Sequence, residues 1–314
     1  MGRKAFSGKG GIDEIGKKIG NLGLLRAMGA YNWALKPCGS VFPYFCIVTI
    51  HDKGYVRARI SFLEGWQTMH DYVRMRFEPD SGYYVSQTEL PQFEVAYLRT
   101  GKIVATRHDP GCLPWYLTPR QEELVRRMLW ETYGVMLRIE NDRSLVLKHA
   151  DERALFARVE TSPGVWRDAP MTIPEPPPYE ERVPVPQDLL KRAQSLPVDK
   201  DWKVAVDLRY LPDRLTEDAP PRVCYAIRAV DLAEKTRLID DGAFVDMLNG
   251  GLKTIWLDAP VRILERLVER GRLPGEMRVV SARLFRFLRP LFLELPVKLS
   301  KRKSIPVLEE HFRE

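Results

Sequence analysis

Residues 202–211 read WKVAVDLRYL, and Val204, Val206 and Leu208 alternate there with Ala205, Asp207 and Arg209. An apolar residue at every second position marks a strand with one buried face. RVCYAIRAV (222–230) and KTRLID (235–240) follow as two more strands joined by a short turn. APVRILERLVERG (259–271) has helical spacing, with Gly271 as its C-terminal stop. EMRVV (276–280) reads as a fourth strand. ARLFRFLRPLFLEL (282–295) is a helix for which Ser281 supplies the N-cap. VKLSK (297–301) is a fifth strand and SIPVLEEHF (304–312) a last helix, while 241–258 carries no decisive pattern.

Three antiparallel strands followed by α-β-α-β-α resemble the element order of an RNase H-like domain. The resemblance implies a mixed five-stranded sheet with flanking helices over residues 201–314. Order alone carries no activity with it. Nucleases and transposases of that fold hold two divalent metals about 4 Å apart with carboxylates. One Asp stands on the first strand, a second at the end of the fourth, and a further acid on a helix. Here Asp207 fits the first position and is the one catalytic candidate, but Ser281 stands where the second acid is expected. A serine does not supply the charge that magnesium wants. Asp240, Asp241, Asp246 and Glu310 are the acids that would have to compensate. The structural alternative for Asp207 is a strand Asp bonded to backbone or to Arg209. The reading is therefore a catalytically degenerate domain with no cofactor.

Upstream, residues 163–197 hold nine prolines. Such a stretch suits neither a packed helix nor a central strand. It reads as a semi-rigid linker over 163–200, with a ligand for a proline-binding module as the lesser alternative. Residues 26–162 read as an α+β domain. YFCIVTI (44–50) and YVRARISFL (55–63) form a hairpin around Asp52-Lys53-Gly54. A helix follows with Trp66, Met69, Val73 and Phe77 at helical spacing, then strands at GYYVSQ (82–87) and QFEVAYL (92–98). Residues 1–25, rich in Gly and Lys, read as a flexible basic arm. SGKGG (7–11) lacks the preceding strand and the Gly-Lys-Ser/Thr of a phosphate loop.

RHDPGCLPWYLTPRQEEL (107–124) concentrates His108, Asp109 and Cys112, a second set of candidate metal ligands. Asp109-Pro110-Gly111 is turn chemistry. Thr118, Pro119 and Gln121 make a capping box for a helix over 119–133. The cluster reads as a connector that carries Trp115 into the core, not as a metal site. His70-Asp71 and His108-Asp109 do not make a metal-dependent phosphohydrolase, whose paired ligands sit on helices.

PYFCIVTI (43–50), GCLPWYLTPRQEEL (111–124) and ERGRLPGEMRVVSARLFRFLRPLFLELPVKL (269–299) together resemble a bacterial two-domain family of unknown function. Its Pro-Trp-Tyr-Leu-Thr turn is matched by Pro114–Thr118. The resemblance covers roughly residues 40–314 and implies the two-domain layout without an activity.

Composition adds constraints. The net charge is +7, and 45% of residues are hydrophobic, which suits globular domains. Four scattered cysteines form no Cys-x-x-Cys pair, and the longest uncharged run, Pro37–Ile50, is too short to span a bilayer. A cytoplasmic protein without membrane contact is expected. Arg278, Arg283, Arg286, Arg289, Lys298, Lys301, Arg302 and Lys303 face only Glu294 within 278–303. Arg283, Arg286, Arg289, Lys301, Arg302 and Lys303 form a candidate phosphate-binding surface. The expected function is a non-enzymatic binding or scaffold module of a larger assembly. Nucleic-acid binding without sequence specificity is the first alternative, and a metal-dependent nuclease using Asp207 the second.

Overall fold

A computed structural model of the chain describes residues 11–22, 31–51, 53–78, 82–84, 86–146, 154–176, 183–212 and 220–313. The fold is mixed α/β, with two sheets. Contacts divide it into one unit of Met1–Tyr72, Leu90–Asp109 and Pro114–Pro176, and another of Val73–Glu89, Pro110–Leu113 and Pro177–Glu314. The main division falls inside the proline-rich stretch. Short segments from the first half of the chain also belong to the second unit.

The first unit begins with α1 (Ile12–Gly20), followed by strands β1 (Tyr31–Lys36), β2 (Tyr44–Ile50) and β3 (Val56–Glu64). Helix α2 (Gly65–Phe77) leads to β4 (Gln92–Leu98), β5 (Ile103–His108) and β6 (Trp115–Tyr116). Helix α3 (Pro119–Asn141) precedes β7 (Ala154–Ser162) and β8 (Val165–Thr172). The sheet order is β6-β5-β4-β3-β2-β1-β7-β8. Among the described residues, β1–β7 is the one parallel pairing of this sheet. Trp33, Leu35, Ile60, Phe62 and Val95 share one core with Ile15 and Ile19 of α1 and with Val125, Met128, Leu129 and Ile139 of α3.

Several expectations need correction here. Residues 12–20 of the expected arm form a helix, because Ile12, Ile15 and Ile19 make an i, i+3, i+7 stripe that is buried in this core. The rest of that arm, 1–10 and 23–25, lies outside the described residues. Helix α2 buries Gly65, Thr68 and Tyr72, not the expected stripe, and Phe77 is 74% exposed. Of that stripe, Trp66 packs its ring against Phe45, with centroids 4.7 Å apart. The expected strand at 82–87 is irregular where described and enters a short 3-10 turn at Gln87–Glu89. The Thr118/Gln121 capping box forms, and α3 runs on past residue 133 to Asn141. Trp115 is only half-buried.

In the second unit, α4 (Gln187–Gln194) precedes the long strand β9 (Val198–Pro212), then β10 (Val223–Asp231) and β11 (Arg237–Phe244). After α5 (Leu252–Glu269) come β12 (Leu273–Val279), α6 (Ala282–Phe292), β13 (Lys298–Lys301) and α7 (Pro306–His311). The order is β11-β10-β9-β12-β13, antiparallel among the first three and parallel from β9 to β13. Val204, Val206 and Leu208 face a core shared with Ile263 and Leu267 of α5 and Leu284 and Leu288 of α6. On the other face, Ala205, Ala226 and Val230 pack with Leu308 of α7 and with Ile305 and Phe312 at either end of it.

The expected 163–200 linker is not structureless. It contains β8 and α4, because Leu189 and Ala193 reach the core and Pro170 sits on an edge strand, where a missing N–H is tolerated. Residues 177–182 of it lie outside the described residues. Helix α5 starts at Leu252, not at Ala259, and carries Pro260 in its interior. No helix among the described residues is long and apolar enough to cross a membrane.

Candidate functional site

The register of the second sheet leaves a notch. β12 makes its last pairing at Val279 with Val206, while β9 continues along β10 to Pro212. Beyond Val206 the β12 side of β9 therefore has no strand partner among the described residues. The chain turns at Ser281 into α6, whose first turn Ser281 caps by accepting from the Leu284 N–H at 3.2 Å. A cavity of 380 Å³ occupies the notch, lined by Asp207, Arg209, Tyr210, Trp256, Ser281 and Arg283 among others. Its size falls in the range of small-molecule pockets, and it lies beyond the end of β12, where open α/β sheets place ligands.

Asp207 is 2% exposed. One carboxylate oxygen accepts from the Ser281 backbone N–H at 3.1 Å, and the other from Arg209 Nε at 3.0 Å. Burial pushes the Asp207 carboxyl above the usual carboxylate range, against the pull of Arg209 and the Ser281 N–H. The other two Arg209 nitrogens donate to both oxygens of Glu309 on α7, at 2.6 and 2.7 Å. This fork geometry is the strongest an arginine makes with a carboxylate. Arg209 holds the Glu309 carboxyl below its usual range, and the two acids raise the arginine further. The guanidinium also lies 4.5 Å from the Phe312 ring centroid.

Both structural alternatives for Asp207, backbone bonding and the Arg209 pair, are thus present together. A pair of carboxylates facing one another invites a divalent cation. Here a permanent cation already stands between them, and the end of β12 offers a serine whose oxygen caps a helix. These residues do not fit a two-metal centre.

Glu309, not Glu310, is the acid that meets this site. It lies within the core-facing i, i+3, i+4, i+7 stripe of Ile305, Leu308 and Phe312, a signal readable in the sequence, whereas Glu310 is exposed. The other proposed compensating acids are engaged elsewhere. Asp240 pairs with Arg228 and Arg237, Asp241 with Arg266, and Asp246 caps the turn at Met247–Asn249.

The basic surface needs revision too. Arg283 is only 7% exposed, with its guanidinium 5.4 Å from the Trp256 ring centroid. Three-residue steps drift by about 60° each around an α-helix, so Arg283, Arg286 and Arg289 do not share one side. Arg286 is half-buried, while Arg289, Lys301, Arg302 and Lys303 are exposed. Arg302 and Arg278 both donate to buried Glu276, at 3.0 and 2.8 Å, and Ser300 donates at 2.8 Å. Arg278 first, with Ser300 and Arg302, lowers that carboxyl to about 2.

His108 and Asp109 belong to the first unit and Cys112 to the second. His108 Nε2 bonds Thr106 Oγ1 at 2.9 Å, and Asp109 pairs with Arg107 at 2.7 Å. Cys112 forms an isolated bridge with Arg222. Among the described residues, no three His, Cys, Asp or Glu side chains are grouped to hold a metal ion. No known protein family matches the chain, and no curated protein matches it.

Proposed function

We propose that the second unit is an RNase H-like module that binds without cleaving, and that the chain serves as a binding or scaffold component of a larger assembly. The strand order and directions of the second sheet support the fold assignment. The observation that carries the functional reading is Arg209, seated between Asp207 and Glu309 where a nuclease of this fold would hold metal. The reading predicts that the chain leaves single- and double-stranded DNA and RNA uncleaved when incubated with magnesium or manganese. Cleavage abolished by Asp207→Asn would overturn this reading.

The second reading is nucleic-acid contact, favoured by the exposure of Arg289, Lys301, Arg302 and Lys303. Each phosphate neutralised releases counterion, so four contacts imply a log–log salt slope of about −3 to −4. Fluorescence anisotropy at two salt concentrations tests it, and no binding at micromolar protein in low salt leaves the protein-partner reading alone.

A further inference from the structure

The notch beside β9 is bordered by a hydrogen-bond donor that the fold leaves unused. Trp256 of α5 belongs to its lining and is 1% exposed. The indole Nε1 is buried and has no hydrogen-bond partner among the described residues. The other indole of this unit is treated differently: Trp202 Nε1 donates to Asp231 Oδ2 at 2.6 Å. Buried polar groups are paired in the great majority, so an unused donor beside a cavity calls for an acceptor from outside the chain. The ring is fixed by its packing. Phe287 stacks on it with centroids 5.8 Å apart and planes at 22°, and the Arg283 guanidinium lies 5.4 Å from its centroid.

The chemistry of the lining limits what can enter. An indole N–H donates and cannot accept, so a ligand must present an acceptor to it. Asp207 already accepts from the Ser281 N–H and from Arg209 Nε, and the other Arg209 nitrogens serve Glu309. Those groups are committed to the fold. Leu208 and Val280 add apolar wall, and Tyr210, 44% exposed, adds an aromatic ring. Apolar and aromatic walls with a few placed polar groups are the usual make-up of a small-molecule pocket.

We propose that the notch binds a small, flat organic molecule through an oxygen acceptor, a carboxylate or an amide carbonyl. The oxygen takes the hydrogen bond of Trp256 Nε1, and the apolar body lies against Leu208, Val280 and Tyr210. Aromatic side chains favour such a body by offset or edge-to-face contact. This site requires neither the RNase H-like assignment nor the loss of cleavage, so its failure would leave that reading standing.

Proton–nitrogen NMR of the full chain reads the indole N–H directly, and Trp256→Phe assigns its resonance. Three probes divide the chemistry. Benzoate and benzamide carry the oxygen as an anion and as a neutral group, and benzylamine keeps the ring with a head that only donates. At up to about 10 mM, a reasonable range for ligands of so few atoms, benzoate or benzamide should move the Trp256 resonance saturably. Benzylamine should not, and the tighter oxygen probe shows which acceptor the notch prefers. Trp256→Phe keeps an aromatic ring without the N–H and should weaken binding about tenfold, the equivalent of one hydrogen bond. Tyr210→Ala removes a partly exposed ring, spares the core and should also weaken binding severalfold. No saturable shift with either oxygen probe, the same shift with benzylamine, or unchanged affinity in either folded variant would overturn the site.

Discussion

Each unit buries a carboxylate on a central strand, and the two are treated differently. Asp207 in the second unit has a hydrogen bond on each oxygen and an arginine in direct contact. Glu94 on β4 of the first unit is 8% exposed, between Ser61 and Thr106 in register. Its cation, Arg59, stands off at 3.7 Å, and its Oε2 has no hydrogen-bond partner among the described residues. Burial pushes both carboxyls above the usual range. What distinguishes them is completion. The Asp207 network closes through Glu309 and docks a helix, whereas Glu94 is a desolvated acid with one loose neighbour. A buried acid in a sheet is therefore evidence of a site only with its partners counted.

The largest test of this contrast is removal of each arginine. Arg209→Ala leaves Asp207 buried without its cation and frees Glu309. Breaking such a pair costs about 3–5 kcal/mol when fully buried, so about 2–3 kcal/mol is expected for a side chain that keeps some exposure. Arg59→Ala should cost under about 1 kcal/mol, since a 3.7 Å contact is a weak one. Urea denaturation of both variants decides, and equal losses would remove the contrast.

Smaller and of opposite sign is the effect of neutralising each acid. Glu94→Gln replaces a desolvated carboxylate by a neutral amide and should stabilise by about 1 kcal/mol at neutral pH. A carboxyl whose folded value is raised favours the folded state most when protonated. The contribution of Glu94 is thus full below the ordinary carboxylate range and is lost as pH rises through the raised value. The advantage of Glu94→Gln should accordingly shrink as pH is lowered toward that ordinary range. Asp207→Asn should destabilise by about 1 kcal/mol at neutral pH, because both oxygens of Asp207 accept and an amide nitrogen does not, which leaves the Ser281 N–H or the Arg209 Nε–H without its acceptor. Denaturation curves across pH would refute the distinction if both variants changed stability in the same direction.

Much of the second unit was readable because its elements announce themselves locally, although α4 and the start of α5 at Leu252 were not. The Val204-Val206-Leu208 alternation, the Ser281 cap and the Gly271 stop each need only a few neighbouring residues, and all three appear where expected. Its register is not local. The notch exists because β12 ends while β9 continues, and strand partners far apart in sequence decide that. In the first unit β1, β5, β7 and β8 went unread, since pairing β1 parallel to β7 joins residues more than a hundred positions apart. Glu309 was missed by one residue, although its place between Leu308 and Phe312 on the buried stripe marks it. Arg283 was grouped with the exposed cations by charge alone, whereas its place beside Leu284 on α6 buries it.

The central claim is that Arg209 stands in place of a metal between Asp207 and Glu309. Calorimetric titration of the purified, metal-stripped chain with manganese tests it directly. The account predicts no saturable binding up to about 10 mM manganese, above the range in which built divalent-cation sites fill. One ion bound per chain, lost on Asp207→Asn and on Glu309→Gln, would contradict it.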